Sequence, residues 1–170
     1  MSSIILRDGI LEDLPQMLEI YNDIILNTTA VYDYNAHTLE MRTNWFNDRL
    51  RMNLPVIVAM DGEDLVGFGS FGQFRAWAAY KYAVEHSVYV RNDQRGRGIG
   101  KRILVQLINE AKKRNLHTMI AGIDASNDAS IRLHEQLGFI EVGHFKEVGY
   151  KFNRWLDLKF LQLTIDNNPE

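Results

Sequence analysis

The sequence predicts a mixed α/β fold in which helices pack on a central β-sheet. Three observations carry that expectation. Early β-prone runs are joined by turn residues, whereas later ones alternate with runs of helical period. Residues 84–90 alternate strictly, with Val84, His86, Val88 and Val90 on one face and Glu85, Ser87 and Tyr89 on the other. After a glycine-rich turn, Ile99, Ile103, Leu104, Leu107, Ile108 and Ala111 recur at helical spacing.

Taken in order, Ile4 to Leu6 predict a short opening strand. Leu14, Met17, Leu18, Tyr21, Ile24 and Ile25 then mark a helix whose first turn tolerates Pro15. A second helix is expected over 38–52, with Leu39, Arg42 and Thr43, Phe46 and Leu50 on one side. Pro55 forbids its continuation. The unbroken run Val56-Ile57-Val58-Ala59-Met60 suits a buried strand, and Asp61-Gly62-Glu63-Asp64 turns it into a return strand over 65–74. After the alternating strand comes the amphipathic helix, ending in Lys112, Lys113 and Arg114, cations that suit the negative end of its dipole. A strand over 117–123, a helix over 128–137 and closing strands over 139–142 and 155–165 complete the order β-α-α-β-β-β-α-β-α-β-β.

Length and composition set limits on function. The 170 residues fit a single domain spanning 1–170, and 46% hydrophobic residues supply a core without staples. The absence of cysteine excludes disulfides, thiolate metal sites and cysteine nucleophiles. Nineteen basic against 22 acidic residues, spread along the chain, give no electrostatic reason to expect nucleic acid or a membrane surface. No apolar run nears the ~20 residues that span a bilayer, and the N-terminus lacks a secretory pattern, so a cytoplasmic protein is expected. No histidine pair has metal-ligand spacing: His134-Glu135 is followed by Gly138 where a second histidine would stand.

The informative segment is Gln94-Arg95-Gly96-Arg97-Gly98-Ile99-Gly100-Lys101, between a strand and a helix. Glycines there let backbone N–H groups approach a phosphate at the positive end of the helix dipole. A glycine-tightened connection without a ligand is the alternative. A phosphate-binding Walker loop does not fit, because Arg95 replaces its first glycine and Arg102 its magnesium-binding hydroxyl. Dinucleotide fingerprints begun at Gly96 or Gly98 fail at Lys101 and Ile103.

Arg95-x-x-Gly98-x-Gly100 does resemble the pyrophosphate-binding motif of the GNAT N-acetyltransferase superfamily. A second block, Asn127-Asp128-Ala129-Ser130-Ile131-Arg132-Leu133-His134-Glu135-Gln136-Leu137-Gly138-Phe139, is similar to the family's following helix, which an Asn opens and Leu-Gly-Phe closes. Together with Phe74-Arg75, the strand over 84–90 and the stretch 149–157, His134 resembles the phosphinothricin N-acetyltransferase branch. The resemblance covers about 5–162 and implies the GNAT acyl-CoA N-acyltransferase fold, a mixed central β-sheet flanked by helices.

It also implies a function. Acetyl-CoA would be the co-substrate, with no metal, and its acetyl group would pass directly to the α-amino group of a small acceptor of the phosphinothricin, methionine sulfoximine or methionine sulfone type. The loop residues Arg95, Gly96, Arg97, Gly98, Ile99, Gly100 and Lys101 would hold the pyrophosphate. Val88, Tyr89, Val90 and Asn127 would hold the pantetheine arm. The amide of Val90 is the expected oxyanion donor and Glu85 the expected general base, directly or through a water. His134 stands where the family commonly has a Tyr that protonates the thiolate; thiol protonation and cofactor positioning both stay open for it, beside plain core packing. His86, on the apolar face, reads as structural. Phe74, Arg75, Glu85 and Asp124 would contact the acceptor, the Arg75 guanidinium suiting a carboxylate or phosphinate. The family's habit adds an expected homodimer. The alternatives are a peptide N-terminal acetyltransferase of the same fold and a non-catalytic acyl-CoA-binding module.

Overall fold

In the computed structural model, which describes residues 3–165, the chain runs β1 (Ile5–Asp8), α1 (Leu14–Asn27), α2 (Leu39–Arg51), β2 (Val56–Asp61), β3 (Asp64–Gln73), β4 (Ala83–Val90), α3 (Ile99–Lys113), β5 (Thr118–Asp124), α4 (Asp128–Gln136), β6 (Ile140–Lys151) and β7 (Arg154–Thr164). The element order is the one the sequence predicts. Seven strands form one sheet in the order β1-β2-β3-β4-β5-β7-β6. Every pairing is antiparallel except β4 with β5. A parallel pair needs a crossover, and α3 supplies it.

Each face of the sheet has its own core. On one side α3 buries Ile99, Ile103, Leu104, Leu107, Ile108 and Ala111 against Ile57, Ala59, Phe71, Val84, Met119 and Ala121. Full burial of a large aliphatic side chain is worth about 1.5–3 kcal/mol, so this stripe is a main source of stability. The helix lies so close to β3 that a Cβ at Gly69 would sit 2.7 Å from Ile103 Cγ2. On the other side α1 and α2 bury Leu14, Met17, Ile20, Ile24 and Phe46 against Val56, Val58, Met60, Leu65 and Phe68.

Two regions depart from expectation. Helix α2 turns Arg42 and Phe46 inward, while Leu39 and Leu50 face solvent. Arg42 is tolerated there because its guanidinium lies 4.0 Å from the Tyr21 ring centroid and 4.8 Å from that of Trp45. Strand β6 runs on to Lys151, far beyond the expected end at 142. It does so through two register irregularities, between Glu141 and Gly143 and between Phe145 and Gly149. Residues that read as loop, such as Glu147 with its φ of 52°, are absorbed as bulges. Phe152 and Asn153, both at positive φ, turn the chain back into β7.

Candidate active site

Strands β4 and β5 separate. They pair only over Ala83–Glu85 with Thr118–Ile120, although β4 continues to Val90 and β5 to Asp124. The opening is a cleft of about 700 Å³ lined by residues 86–90 of β4, 121–124 of β5, the glycine-rich turn and the start of α4. Hydrogen-bond alternation decides which way β4's amides face. Phe74 N–H reaches Ala83 O at 2.9 Å and Arg91 N–H reaches Val66 O at 2.9 Å. In antiparallel pairing only alternate residues bond to a given neighbour. By that register Glu85, Ser87 and Tyr89 bond to β3, and the N–H groups of Val88 and Val90 point into the cleft.

At one end of the cleft lies the turn into α3. Gly96 and Gly98 have φ of 79° and 74°, a region that side chains disfavour, and a Cβ on either would meet no protein atom within 4 Å. The glycines therefore serve backbone shape and open space rather than packing. Ile99, Gly100 and Lys101 begin the helix, where amides lack intrahelical acceptors and the dipole favours an anion. This is the chemistry a pyrophosphate needs. Arg95, Gly96, Gly98, Ile99, Gly100 and Lys101 line the cleft; Arg97 does not, its guanidinium pairing with Asp61 at 2.8 Å and with Gln94. Asn127 caps α4 by accepting the Ser130 N–H at 3.2 Å, and it too lines the cleft.

Glu85 projects from the opposite face of β4 to His86 and reaches the edge of the opening. Its Oε1 is 3.0 Å from where a Cβ on Gly122 would lie, and Gly122 lines the cleft. Burial raises its pKa above the ordinary carboxylate value, and the positive charge of Arg75 opposes that rise. Arg75 itself is exposed, its guanidinium 5.0 Å from the Phe74 ring. Phe74 stands edge-on to Phe160, whose ring packs over Gly122. Arg75, Phe74 and Glu85 thus form one aromatic-lined margin beside Gly122, and none of the three is among the residues that line the cleft itself.

Asp124 lines the cleft but its carboxylate is engaged. Oδ2 accepts the Tyr32 hydroxyl at 2.8 Å, and Oδ1 accepts the Ser126 amide at 2.9 Å and the Ser126 hydroxyl. The buried ring of His134 also lines the cleft, with Nδ1 2.7 Å from Ser130 O and Nε2 3.0 Å from Nε2 of His86. His86 is therefore more than filler on an apolar face.

Sequence reasoning missed the strap that closes the far end. The segment after α1 contributes Thr28, Thr29 and Ala30 to the cleft wall. It is held by Lys151, whose Nζ donates to Ile25 O, Thr28 O and Val31 O at 2.5, 2.8 and 2.9 Å. A cation is well placed there, at the negative end of α1. Tyr32 adds a bond to Asp157 O, and Tyr34 one to Tyr150 O. No local pattern announces these contacts, because their partners lie about a hundred residues away.

Comparison with known proteins agrees with this geometry. Residues 15–139 match the model of the acetyltransferase (GNAT) family. A curated relative, the L-methionine sulfoximine/L-methionine sulfone acetyltransferase of Pseudomonas aeruginosa, is 46% identical over 95% of this chain and 94% of its own. The phosphinothricin N-acetyltransferase of Streptomyces coelicolor is 33% identical over 92% and 93%. Among solved structures, yncA from Salmonella typhimurium, determined with its cofactor acetyl-CoA, superposes with a TM-score of 0.95 at 38% identity, covering 98% of this chain and 96% of that one. With a divided β4–β5 pair, an anion-ready turn after it and a family match over most of its length, this chain belongs to the GNAT acetyltransferase family.

Proposed function

We propose that the protein transfers the acetyl group of acetyl-CoA to the α-amino group of a small amino-acid-like acceptor of the methionine sulfoximine, methionine sulfone or phosphinothricin type. The observation that carries this reading is the cleft itself, with the free amides of Val88 and Val90 between the anion-ready turn and the Glu85 carboxylate. Acetyl-CoA fits it: the turn offers donors where phosphates would lie, and β4 offers donors to the carbonyls of an extended arm. The acetyl thioester supplies the electrophile when bound.

The protein's own groups do the rest. Glu85, made more basic than an ordinary carboxylate by its burial, takes the proton that the acceptor ammonium must lose. The Val90 N–H stabilises the charge that grows on the carbonyl oxygen. A C–N bond forms, the C–S bond breaks, and sulfur keeps the electron pair and takes a proton from water in the open cleft. Arg75 orients the acceptor through its carboxylate or its sulfoximine or phosphinate group. Asp124 acts by holding Tyr32 and the β5–α4 turn. The exposed Phe145, Val148, Phe152 and Trp155 on the β6–β7 hairpin support a homodimer, and no described helix is long and apolar enough to cross a membrane, in keeping with a cytoplasmic enzyme.

A turnover screen tests the reading. Coenzyme A release should track α-N-acetyl product with free amino-acid-like acceptors, and sulfoximines or sulfones should exceed short peptides and polyamines. Preference for peptides would transfer the assignment to N-terminal acetylation. Acetyl-CoA binding without turnover on any acceptor would leave a binding module.

A further inference from the structure

The pair formed by His86 and His134 joins the two layers of the site and has a defined proton count. Both rings are buried, 8% and 5% exposed, and stack at 12° with centroids 5.1 Å apart. A carbonyl oxygen only accepts, so His134 Nδ1, 2.7 Å from Ser130 O, carries a proton. Two ring nitrogens 3.0 Å apart need one proton between them. Were it on His134, that ring would be a buried imidazolium and His86 would have to hide an N–H on Nδ1. Were it on His86, both rings would be uncharged, leaving one lone pair without a donor. Nδ1 of His86 is indeed buried without a partner. A bare lone pair costs far less than a buried charge.

The surroundings favour the uncharged arrangement. Phe71 lies opposite His86 on β3, and Phe139 packs edge-on to both rings. On that side of the sheet β5 presents Met119 and Ala121, and α3 presents Leu104 and Leu107. Each imidazole has the other within hydrogen-bond distance, and among the described residues no carboxylate or cation contributes to the shift of either. Burial lowers both, His86 to about 3.

We propose that His86 is a positioning residue: it donates its Nε2–H to His134 and thereby fixes His134 as an uncharged ring whose only proton points at Ser130. In this state His134 has nothing to give a departing thiolate. It acts as a fixed wall of the cleft, and the pair adds no histidine ionisation to the rate profile. The functional consequence rests on the acetyltransferase reading; the tautomers do not.

The test is long-range ¹H–¹⁵N correlation on the ¹⁵N-histidine-labelled whole chain, assigned with His86→Gln and His134→Gln. Expected are an Nε2–H tautomer for His86, an Nδ1–H tautomer for His134, and no titration of either from pH 5 to 8. A proton on His134 Nε2 at pH 7, or titration in that range, overturns the proposal. Kinetics give a second readout. His86→Ala should lower kcat about 2- to 13-fold, the range of one lost neutral hydrogen bond, and add a histidine ionisation to the rate profile as His134 becomes free to charge. His86→Gln, which keeps an N–H donor, should restore most of the rate and remove that ionisation. Equal losses in both variants, or no new ionisation in His86→Ala, would overturn the proposal. If His86→Ala does not fold, the wild-type spectrum still decides. Inactivity on every acceptor, with the tautomers as stated, would sink the acetyltransferase reading and leave the pair standing.

Discussion

At the turn into α3, the cleft is made by near-contiguous residues, Gln94 to Lys101 without Arg97, which present backbone amides and glycines to it. At the strap over its far end, it is made by side chains that reach across the chain: Tyr32 to Asp124, Tyr34 to Tyr150, and Lys151 to Ile25, Thr28 and Val31. The first end needs only the local order strand, glycine turn, helix. The second exists only once β6 and β7 have paired and the segment after α1 has been laid against them. A pyrophosphate common to every reaction of this class suits a fixed backbone cradle, whereas an acceptor that differs among relatives suits a margin built from replaceable side chains.

Perturbing the acceptor margin should therefore spare the cofactor cradle. The largest effect is expected at Glu85. Glu85→Gln should lower kcat on the order of 10²-fold or more and alter the acidic limb of the pH profile, with acetyl-CoA affinity unchanged. The same variant should melt at a higher temperature at pH 7. A carboxylate whose folded pKa is raised weakens the native state above its unfolded value of 4.5, so the gain should shrink as pH falls toward 4.5. A wild-type kcat with an unaltered pH profile would remove Glu85 from the chemistry. Arg75→Ala should come next, costing roughly 10- to 150-fold in kcat/KM for the acceptor, as one charge-assisted bond would. Arg75→Lys should recover part of that. A methyl ester acceptor, already poor with the wild type, should lose little more in Arg75→Ala; proportional losses for acid and ester would assign Arg75 to the side-chain end instead.

Smaller effects should come from the strap and the histidine pair. Lys151→Met strips the donor from three carbonyls, so stability should fall by about 1–3 kcal/mol and acceptor KM should rise while acetyl-CoA binding holds. Loss of cofactor binding in a folded Lys151→Met protein would mean that the two ends are coupled. For His86, the folded pKa near 3 lies below the unfolded value of 6.5, so the unfolded chain binds the extra proton between them and stability drops as pH falls below 6.5. That group alone should cost about 2 kcal/mol at pH 5 relative to pH 8, measurable by urea unfolding, and His86→Phe should flatten the dependence.

The same contrast explains what the sequence discloses. The stripe of α3 is set by spacing within a few residues and is buried as that spacing predicts, whereas the alternation of β4 shows in burial only at Val84 and His86, because Val88 and Val90 border the cleft and are half-buried like Ser87 and Tyr89. Arg97 misleads because its partner Asp61 sits on the hairpin of β2 and β3, out of local view. Asp124 resembles a substrate ligand by position, yet its oxygens are taken by Tyr32 and Ser126. Arg42 inside α2 and the bulged length of β6 are settled by aromatic faces and strand pairing that no window of neighbours contains. Lys151 carries no local signal of its role, because the carbonyls it binds at and after the end of α1 lie more than a hundred residues away in sequence.

On the proposed reading, the cradle at 96–101 binds acetyl-CoA through its backbone, independently of the acceptor margin. Calorimetric titration of acetyl-CoA into Gly98→Asn, Gly98→Val and Arg75→Ala tests it most directly. Asn tolerates the left-handed conformation that Gly98 adopts at φ 74°, whereas Val is strained there, and neither Cβ meets the protein. Both Gly98 variants should therefore fold, Asn with little strain, and both should bind acetyl-CoA at least about 10-fold more weakly because a side chain fills the space of the pyrophosphate. Arg75→Ala should bind it as the wild type does. Wild-type affinity in a folded Gly98→Asn protein, or a comparable loss in Arg75→Ala, would contradict the claim.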